Sequence, residues 1–251
     1  MAQMQKAKRV GVDLTEGPIF KRLIVFAIPL ILTSVIQQLY SMVDLMVIGK
    51  FVGSVGTVGV SVGGEFSDLM MPVAMAFSSG SQIYMAQLVG AKDEKRLKAT
   101  VGTMLTLMLG LSILFTLVGV LLHRTVLGWM NCPEEAYEQA ASYMIIAALG
   151  TPFVFGYNAV CAIMRAMGES KKPLIYIIVA ASVNIVADLL FVVVFKMEAA
   201  GTAIATVLSQ IGSFLAAFYS MYKNREKFDF ELKLSYFRID RESLRIILRL
   251  A

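Results

Sequence analysis

Residues 23–44 read LIVFAIPLILTSVIQQLYSMVD, a charge-free run from Leu23 to Val43 that meets its first acid at Asp44. An α-helix rises about 1.5 Å per residue, so roughly 20 apolar residues cross the hydrocarbon of a bilayer. This run is long enough. It also exceeds the apolar core of a signal peptide, so it is expected to remain in the mature chain as a membrane span. Thr33, Gln37, Tyr40, Ser41 and Asp44 recur at spacings of three and four, which lays one polar stripe along an otherwise apolar rod. Pro29 removes a backbone hydrogen bond within the rod and predicts a kink there.

The same reading extends along the chain. Further charge-free runs cover Leu69–Ala91, Ala99–Leu122, Gln139–Met164, Pro173–Ala187 and Ala199–Tyr222. The fifth resumes beyond Asp188 through Leu189–Phe195, and the first continues past Asp44 to Ile48. Six spans are therefore expected, and none alternates in the manner of a membrane β-strand. Of the 251 residues, 57% are hydrophobic and 16% charged, against about 25% charged in an average soluble domain. That balance excludes a soluble enzyme, a disordered segment and a secreted disulfide scaffold. The expected fold class is all-α: a polytopic membrane protein built as a bundle of six transmembrane helices. Cys132, Cys161 and the lone His123 are too few and too scattered for a zinc site and read as packing residues.

Charge gives an orientation. Of the 23 Lys and Arg residues, only Lys50, Arg124 and Lys196 lie in the odd connectors. The rest occupy the N-terminal tail (including Lys6, Lys8 and Arg9), the second connector from Lys92 to Lys98, the fourth from Arg165 to Lys172, and the segment after the sixth span. The positive-inside rule then puts the N-terminus and the even connectors in the cytoplasm. These basic runs serve topology beside a lipid bilayer rather than nucleic-acid binding.

Acids inside the spans need a reason, because an ionised side chain at the bilayer centre costs at least ~2.5 kcal/mol. No Lys or Arg lies deep in a span to neutralise Asp44 or Asp188, so a cavity they line should be negative and draw cations or protons. Asn184 and Asp188 share a helix face; Thr202, Thr206, Ser209, Gln210 and Ser213 form a stripe in the sixth span; and Tyr143, Thr151 and Asn158 lie on one side of the fourth. Asp44, Asp188 and Thr206 all fall in the outer half of the bilayer by residue counting, where they can meet. Glu65 and Asp68, counted from Leu88, come out about 30 Å up the second helix, at a solvated outer mouth. The glycines from Gly49 to Gly64 predict close helix packing there.

Some chemistries are absent. No G-x-x-x-x-G-K-[ST] phosphate loop is present, so ATP coupling is not expected. An intramembrane protease would need a Gly-Asp pair, a His-Glu-x-x-His or a G-x-S-G; Phe77-Ser-Ser-Gly80 lacks the first glycine.

Pro29 with Gln37-Gln38-Leu39-Tyr40 and Val43-Asp44, Gln87-Leu-Val-Gly-Ala-Lys-Asp93, Arg165-Ala-Met-Gly-Glu-Ser-Lys-Lys-Pro173, Asn184-x-x-x-Asp188 and Ala200-Gly-Thr-Ala-Ile-Ala-Thr206 follow one another across the six spans. In order and spacing this set resembles the multidrug and toxic compound extrusion (MATE) transporters over nearly the whole chain. The resemblance implies two facing six-helix lobes with alternating access, of which this chain is the N-terminal one. It implies a bacterial inner-membrane, multi-pass protein that is a secondary active transporter and not an enzyme, without a cofactor. It implies export of amphipathic cations in exchange for protons or sodium. It assigns cation coupling, and a sodium site, to Asp44, Asn184, Asp188 and Thr206. The substrate cavity falls to Gln37, Tyr40, Tyr143, Asn158 and Gln210, and a conformational hinge to Pro29.

On this reading residues 1–222 form the lobe with its tail, 223–241 a cytoplasmic connector, and 242–251 the start of a seventh helix whose six-helix lobe is missing from the chain. A lipid-linked oligosaccharide flippase of the related superfamily is the alternative. Its anionic pyrophosphate substrate calls for cationic residues in the cavity, and none is visible in these spans.

Overall fold

The computed structural model describes residues 19–224 and 238–251. The expected N-terminal tail and most of the expected connector lie outside the described residues, which are helical with no strand.

Helix α1 (Ile19–Phe51) runs 33 residues with Pro29 inside it. It reverses into α2 (Ser54–Ala91) through only Val52 and Gly53. Gly53 sits at φ +88°, a left-handed conformation that a side chain would resist. At the far end of α2, Lys92 adopts a left-handed cap, and Asp93 opens α3 (Glu94–Leu121) by accepting the Arg96 N–H at 3.0 Å. A short α4 (His123–Trp129) and a 3₁₀ turn (Glu134–Ala136) lead into α5 (Tyr137–Ala166). Gly168 at φ +84° turns the chain into α6 (Lys171–Asp188). Immediately after Asp188 the helix widens into a π-helical stretch (Leu189–Val194), where the Phe195 N–H reaches back five residues to the Leu190 carbonyl at 3.0 Å. Then come α7 (Glu198–Lys223) and α8 (Arg241–Leu250). Cys132 and Cys161 are free thiols.

Among the described residues five helices are long and apolar enough to cross a membrane: α1, α3, α5, α7 and α6 with its π-helical extension. The remaining long helix, α2, has 38 residues and a more polar composition, for a packing reason. It lies against α5, the central helix, which also contacts α3 and α7. Gly59 and Gly63, one turn apart, let α2 and α5 approach closely. A Cβ on Gly59 would stand 2.7 Å from Cβ of Gln139, and one on Gly63 would stand 2.7 Å from the Ala140 carbonyl oxygen. The protein is thus a six-helix membrane lobe whose second helix trades lipid-facing hydrophobicity for intimate contact. The span expected at Leu69–Ala91 is a correction in extent. The helix begins fifteen residues earlier, at Ser54, because packing rather than apolar content holds its first half.

Two apolar clusters organise the lobe. The larger gathers Phe66, Met70, Met104, Met144, Phe155 and Met164 from α2, α3 and α5, among others. A smaller knot joins Val47 and Ile48 of α1 to Val60, Val192 and Ala199. Elsewhere α1 is an edge helix against α6 and α2, and Leu23, Ile31, Leu39 and Met46 are exposed, as lipid contact requires.

At the basic end of the bundle, α8 lies across α2 and α3. Asp240 caps it, accepting the Ser243 N–H at 2.8 Å, while Thr100 and Ser243 hydroxyls meet at 3.1 Å and Arg96 pairs with Glu242 at 3.2 Å. The backbone N–H of Ser243 holds the Asp240 carboxyl below the usual carboxylate range. The cap is therefore complete at neutral pH and is lost as pH falls from the usual carboxylate range through that lowered value. Gly80 makes the approach of α8 feasible, since its Cβ would stand 2.9 Å from the Ala251 nitrogen and 3.0 Å from the Ile247 carbonyl. Gly80→Leu is expected to release α8. Without its contacts to α2 and α3 the helix opens more often, so trypsin should cut at Arg245 about tenfold faster, for an overpacking cost of about 1.4 kcal/mol. Unchanged cleavage would mean that α8 does not depend on this contact.

Candidate functional site

The polar stripe of α1 carries Asp44 inward at the level where α6 presents Asn184 and Asp188 and α7 presents Thr206. Asn184 and Asp188 are fully buried and Asp44 is 6% exposed. Thr206 Oγ1 donates to Asp44 Oδ2 at 3.4 Å, and Asn184 Nδ2 donates to Thr206 Oγ1 at 3.3 Å. The Asp188 carboxyl lies close enough to that of Asp44 for each to feel the other's charge. Four residues from three helices thus form one buried cluster.

The cluster is short of donors. Asp44 Oδ1, Asn184 Oδ1 and both Asp188 carboxylate oxygens are buried without a hydrogen-bond partner among the described residues. Nor does any ion pair among the described residues involve Asp44 or Asp188. Two neighbouring carboxylates have nothing to donate to each other, and a proton or a cation between them would relieve their repulsion. Orphaned carboxylate and amide oxygens with a hydroxyl beside them fit sodium, which takes oxygen ligands. Among the described residues no three His, Cys, Asp or Glu side chains gather as a conventional metal site would need.

Thr202 joins this inventory. It is fully buried, its Oγ1 has no partner, and it lies one turn from Thr206 toward the start of α7. Because α6 and α7 run antiparallel, one turn beyond the Asn184–Thr206 contact brings Thr202 to the level of Asp188. The sequence signal was its place in the α7 stripe, four residues before Thr206.

A cavity of about 570 Å³ opens beside the cluster between α1, α2, α5 and α7. Gln37, Tyr40, Tyr143 and Gln210 line it together with Asp44 and Thr206, so Asp44 belongs both to the cavity wall and to the carboxyl pair. Gln210 Nε2 reaches Tyr40 Oη at a long 3.5 Å. The Tyr143 side chain is within electrostatic reach of Asp44, Asp188 and Asp68. Asn158 is not in this wall: its amide donates to the Val154 carbonyl of its own helix at 2.9 Å. Pro29 is buried within an unbroken α1, and Thr33 Oγ1 bonds its carbonyl at 2.8 Å.

Glu65 and Asp68, both exposed, line this same cavity. They stand about 16 and 21 Å from the start of α2. The cavity wall therefore carries three acids, Asp44, Glu65 and Asp68, and no Lys, Arg or His.

Comparison with known proteins agrees with this architecture. Probable multidrug resistance protein YoeA of Bacillus subtilis (strain 168) is 32% identical over 237 residues, which cover 92% of this chain and 51% of YoeA. A MATE crystallised in the straight conformation matches with a TM-score of 0.84 at 24% identity, over 96% of this chain and 53% of that one. A MOP superfamily transporter from Pyrococcus furiosus, whose binding pocket is described as reversed in polarity and suggestive of a different function, matches equally well (TM-score 0.84, 24% identity, 96% and 53% coverage). At such identities the solved structures speak for the fold. The chain spans about half the length of the curated relatives it matches. The MatE family model matches residues 29–190, from the α1 proline to just past the buried carboxyl pair, and the chain belongs to the MatE family.

Proposed function

We propose that this chain is one lobe of a secondary active multidrug efflux transporter, which exports amphipathic cations in exchange for protons or sodium and works with a second six-helix lobe. The observation that carries the reading is the shared Asp44. One of its faces looks into an acidic cavity without a base, and the other meets Asp188. A cationic compound in the cavity and a proton or sodium ion at the pair draw on the same negative charge. Occupying one weakens the hold on the other, which is the reciprocal coupling an antiporter needs. Asn184 and Thr206, with Thr202, supply the neutral oxygens around the pair, while Gln37, Tyr40, Tyr143 and Gln210 orient the substrate. Pro29 is the point at which α1 bends as the cavity changes access. The basic end faces the cytoplasm of a bacterial cell, in keeping with the placement of Lys92, Lys95, Arg165 and Lys172 at that end.

The same acidic wall speaks against the flippase alternative, because a lipid pyrophosphate would enter a cavity of its own sign of charge. The test is transport by the two-lobe protein in vesicles. An imposed proton or sodium gradient should drive accumulation of ethidium, and deletion in the native cell should leave lipid-linked saccharides at their normal level. Gradient-independent ethidium movement, or a build-up of lipid-linked precursors on deletion, would reject the proposal.

A further inference from the structure

Arg165 and Gln82 belong neither to the coupling cluster nor to the cavity wall, yet they are joined to each other below both. Arg165 stands at the basic end of α5, where its Nε donates to the Gln82 side-chain oxygen of α2 at 2.8 Å. Register aims the pair at the way out of the cavity. Gln82 follows Met75 of the wall by seven residues, and Arg165 follows Val154 of the wall by eleven. At 3.6 residues per turn these are close to two and three whole turns. Both residues therefore continue the cavity-lining faces of α2 and α5, about 10 and 16 Å nearer the basic end. Both are half-buried.

The bridge uses up the one acceptor the two side chains hold. With its oxygen turned to Arg165, Gln82 has only its N–H₂ left to offer. Among the described residues neither that nitrogen nor the two terminal guanidinium nitrogens has a partner. Glu169, one turn beyond Arg165, pairs with Lys172 at 3.9 Å. The pair thus presents donors only, and one full positive charge, beneath a wall that carries three acids and no base.

We infer that Arg165, held in position by Gln82, is an electrostatic stop that keeps inorganic cations from slipping past the coupling site to the cytoplasm. Its strength follows the width of the path with no moving part of its own. When two lobes close over this end, a cation has to pass the guanidinium in a narrow, poorly solvated neck. When they part, water fills the gap. The same charge acts about fourfold more strongly at an effective dielectric constant of 20 than in water. Repulsion is therefore greatest in the state where a leak would dissipate the gradient, and least in the state that admits an organic cation. The inference takes its two lobes and its gradient from the antiport reading, and adds the residue that keeps the exchange from short-circuiting.

The test is the substrate-free leak of protons, and separately of sodium, into vesicles that hold the two-lobe protein. Arg165→Gln should raise the leak of at least one of these ions about tenfold, which is about 1.4 kcal/mol off the barrier. Arg165→Lys keeps the charge and should stay within about twofold of the original. Gln82→Glu separates charge from scaffolding. Its carboxylate strengthens the bridge and neutralises the guanidinium, so the same ion should leak about fivefold faster. A bridge that merely ties α2 to α5 would leave this variant as tight as the original. The inference is overturned by an unchanged leak of both ions in Arg165→Gln, by an equal rise in Arg165→Lys, or by no rise in Gln82→Glu. Ethidium accumulation by the unsubstituted protein, run alongside, reads the antiport proposal separately. If neither gradient drives it, that proposal falls, while the leak ratios still decide the stop.

Discussion

Asp188→Asn in the two-lobe protein is expected to stop gradient-driven efflux while leaving the protein as stable as before, or more so. Asp188 is fully buried and neither carboxylate oxygen has a donor. The amide is nearly isosteric and brings an N–H₂ that Asp44 can accept, so the cluster loses a charge and gains a hydrogen bond. Replacing half of a buried, poorly satisfied charge arrangement by a neutral group commonly stabilises a fold. Function moves the other way. At 5 Å and an effective dielectric constant near 20, one charge is worth about 3 kcal/mol to a cation, which is about two powers of ten in affinity. Asp44→Asn should behave alike and remove one of the cavity's three acidic charges as well. Dye efflux together with the thermal unfolding midpoint checks both halves of the expectation. Efflux at the original rate in either variant would mean that these carboxyls do not couple ion to substrate.

The second large effect is expected at Gly63. A Cβ there would lie 2.7 Å from the Ala140 carbonyl oxygen and 3.1 Å from Cβ of Tyr143. The first obstacle is backbone and cannot rotate away, so Gly63→Leu has to push α2 off α5 along a close-packed seam of the lobe. We expect a loss of about 3 kcal/mol, at the upper end of overpacking costs, seen as a fall of roughly 5–10 °C in Tm. Displacing Tyr143 should also reduce efflux. The adjacent Gly64 is the internal control for stability. Its Cβ would meet only Cε1 of Tyr143 at 3.7 Å, an ordinary contact. Gly64→Ala should therefore hold Tm or raise it slightly through better helix propensity. Equal Tm for Gly63→Leu and Gly64→Ala would show that the seam is looser than these distances imply.

Much of this architecture is legible in the amino-acid sequence because lipid imposes a simple rule on what faces it. The runs at Leu23, Ala99, Gln139, Pro173 and Ala199 coincide with α1, α3, α5, α6 and α7, where hydrophobicity and helix go together. The first half of α2 escapes the rule. Its glycines, serines and two acids lack the apolar run that marks the other spans; the glycines pointed to close packing, and the approach of α5 is what they pack against. Within the site, spacing of three and four residues brought Asp44, Asn184, Asp188 and Thr206 onto inward faces at matching depths. The same spacing could not distinguish Asn158, whose amide turns back onto its own helix. The widened turn after Asp188 carries no compositional mark, since Leu189–Val194 would suit an ordinary α-helix equally well.

The small knot of Val47, Ile48, Val60, Val192 and Ala199 lies between the carboxyls and the Phe51 end of the bundle. On the antiport reading it would serve as a dry plug. An ion arriving from that side would have to shed its water and pass five side chains that offer no oxygen to replace it, so its entry would be timed by how often the plug loosens. Passive leak of protons or sodium through vesicle-embedded protein is the quantity in which this asymmetry should be visible, and a hydroxyl placed at Ile48 should quicken it.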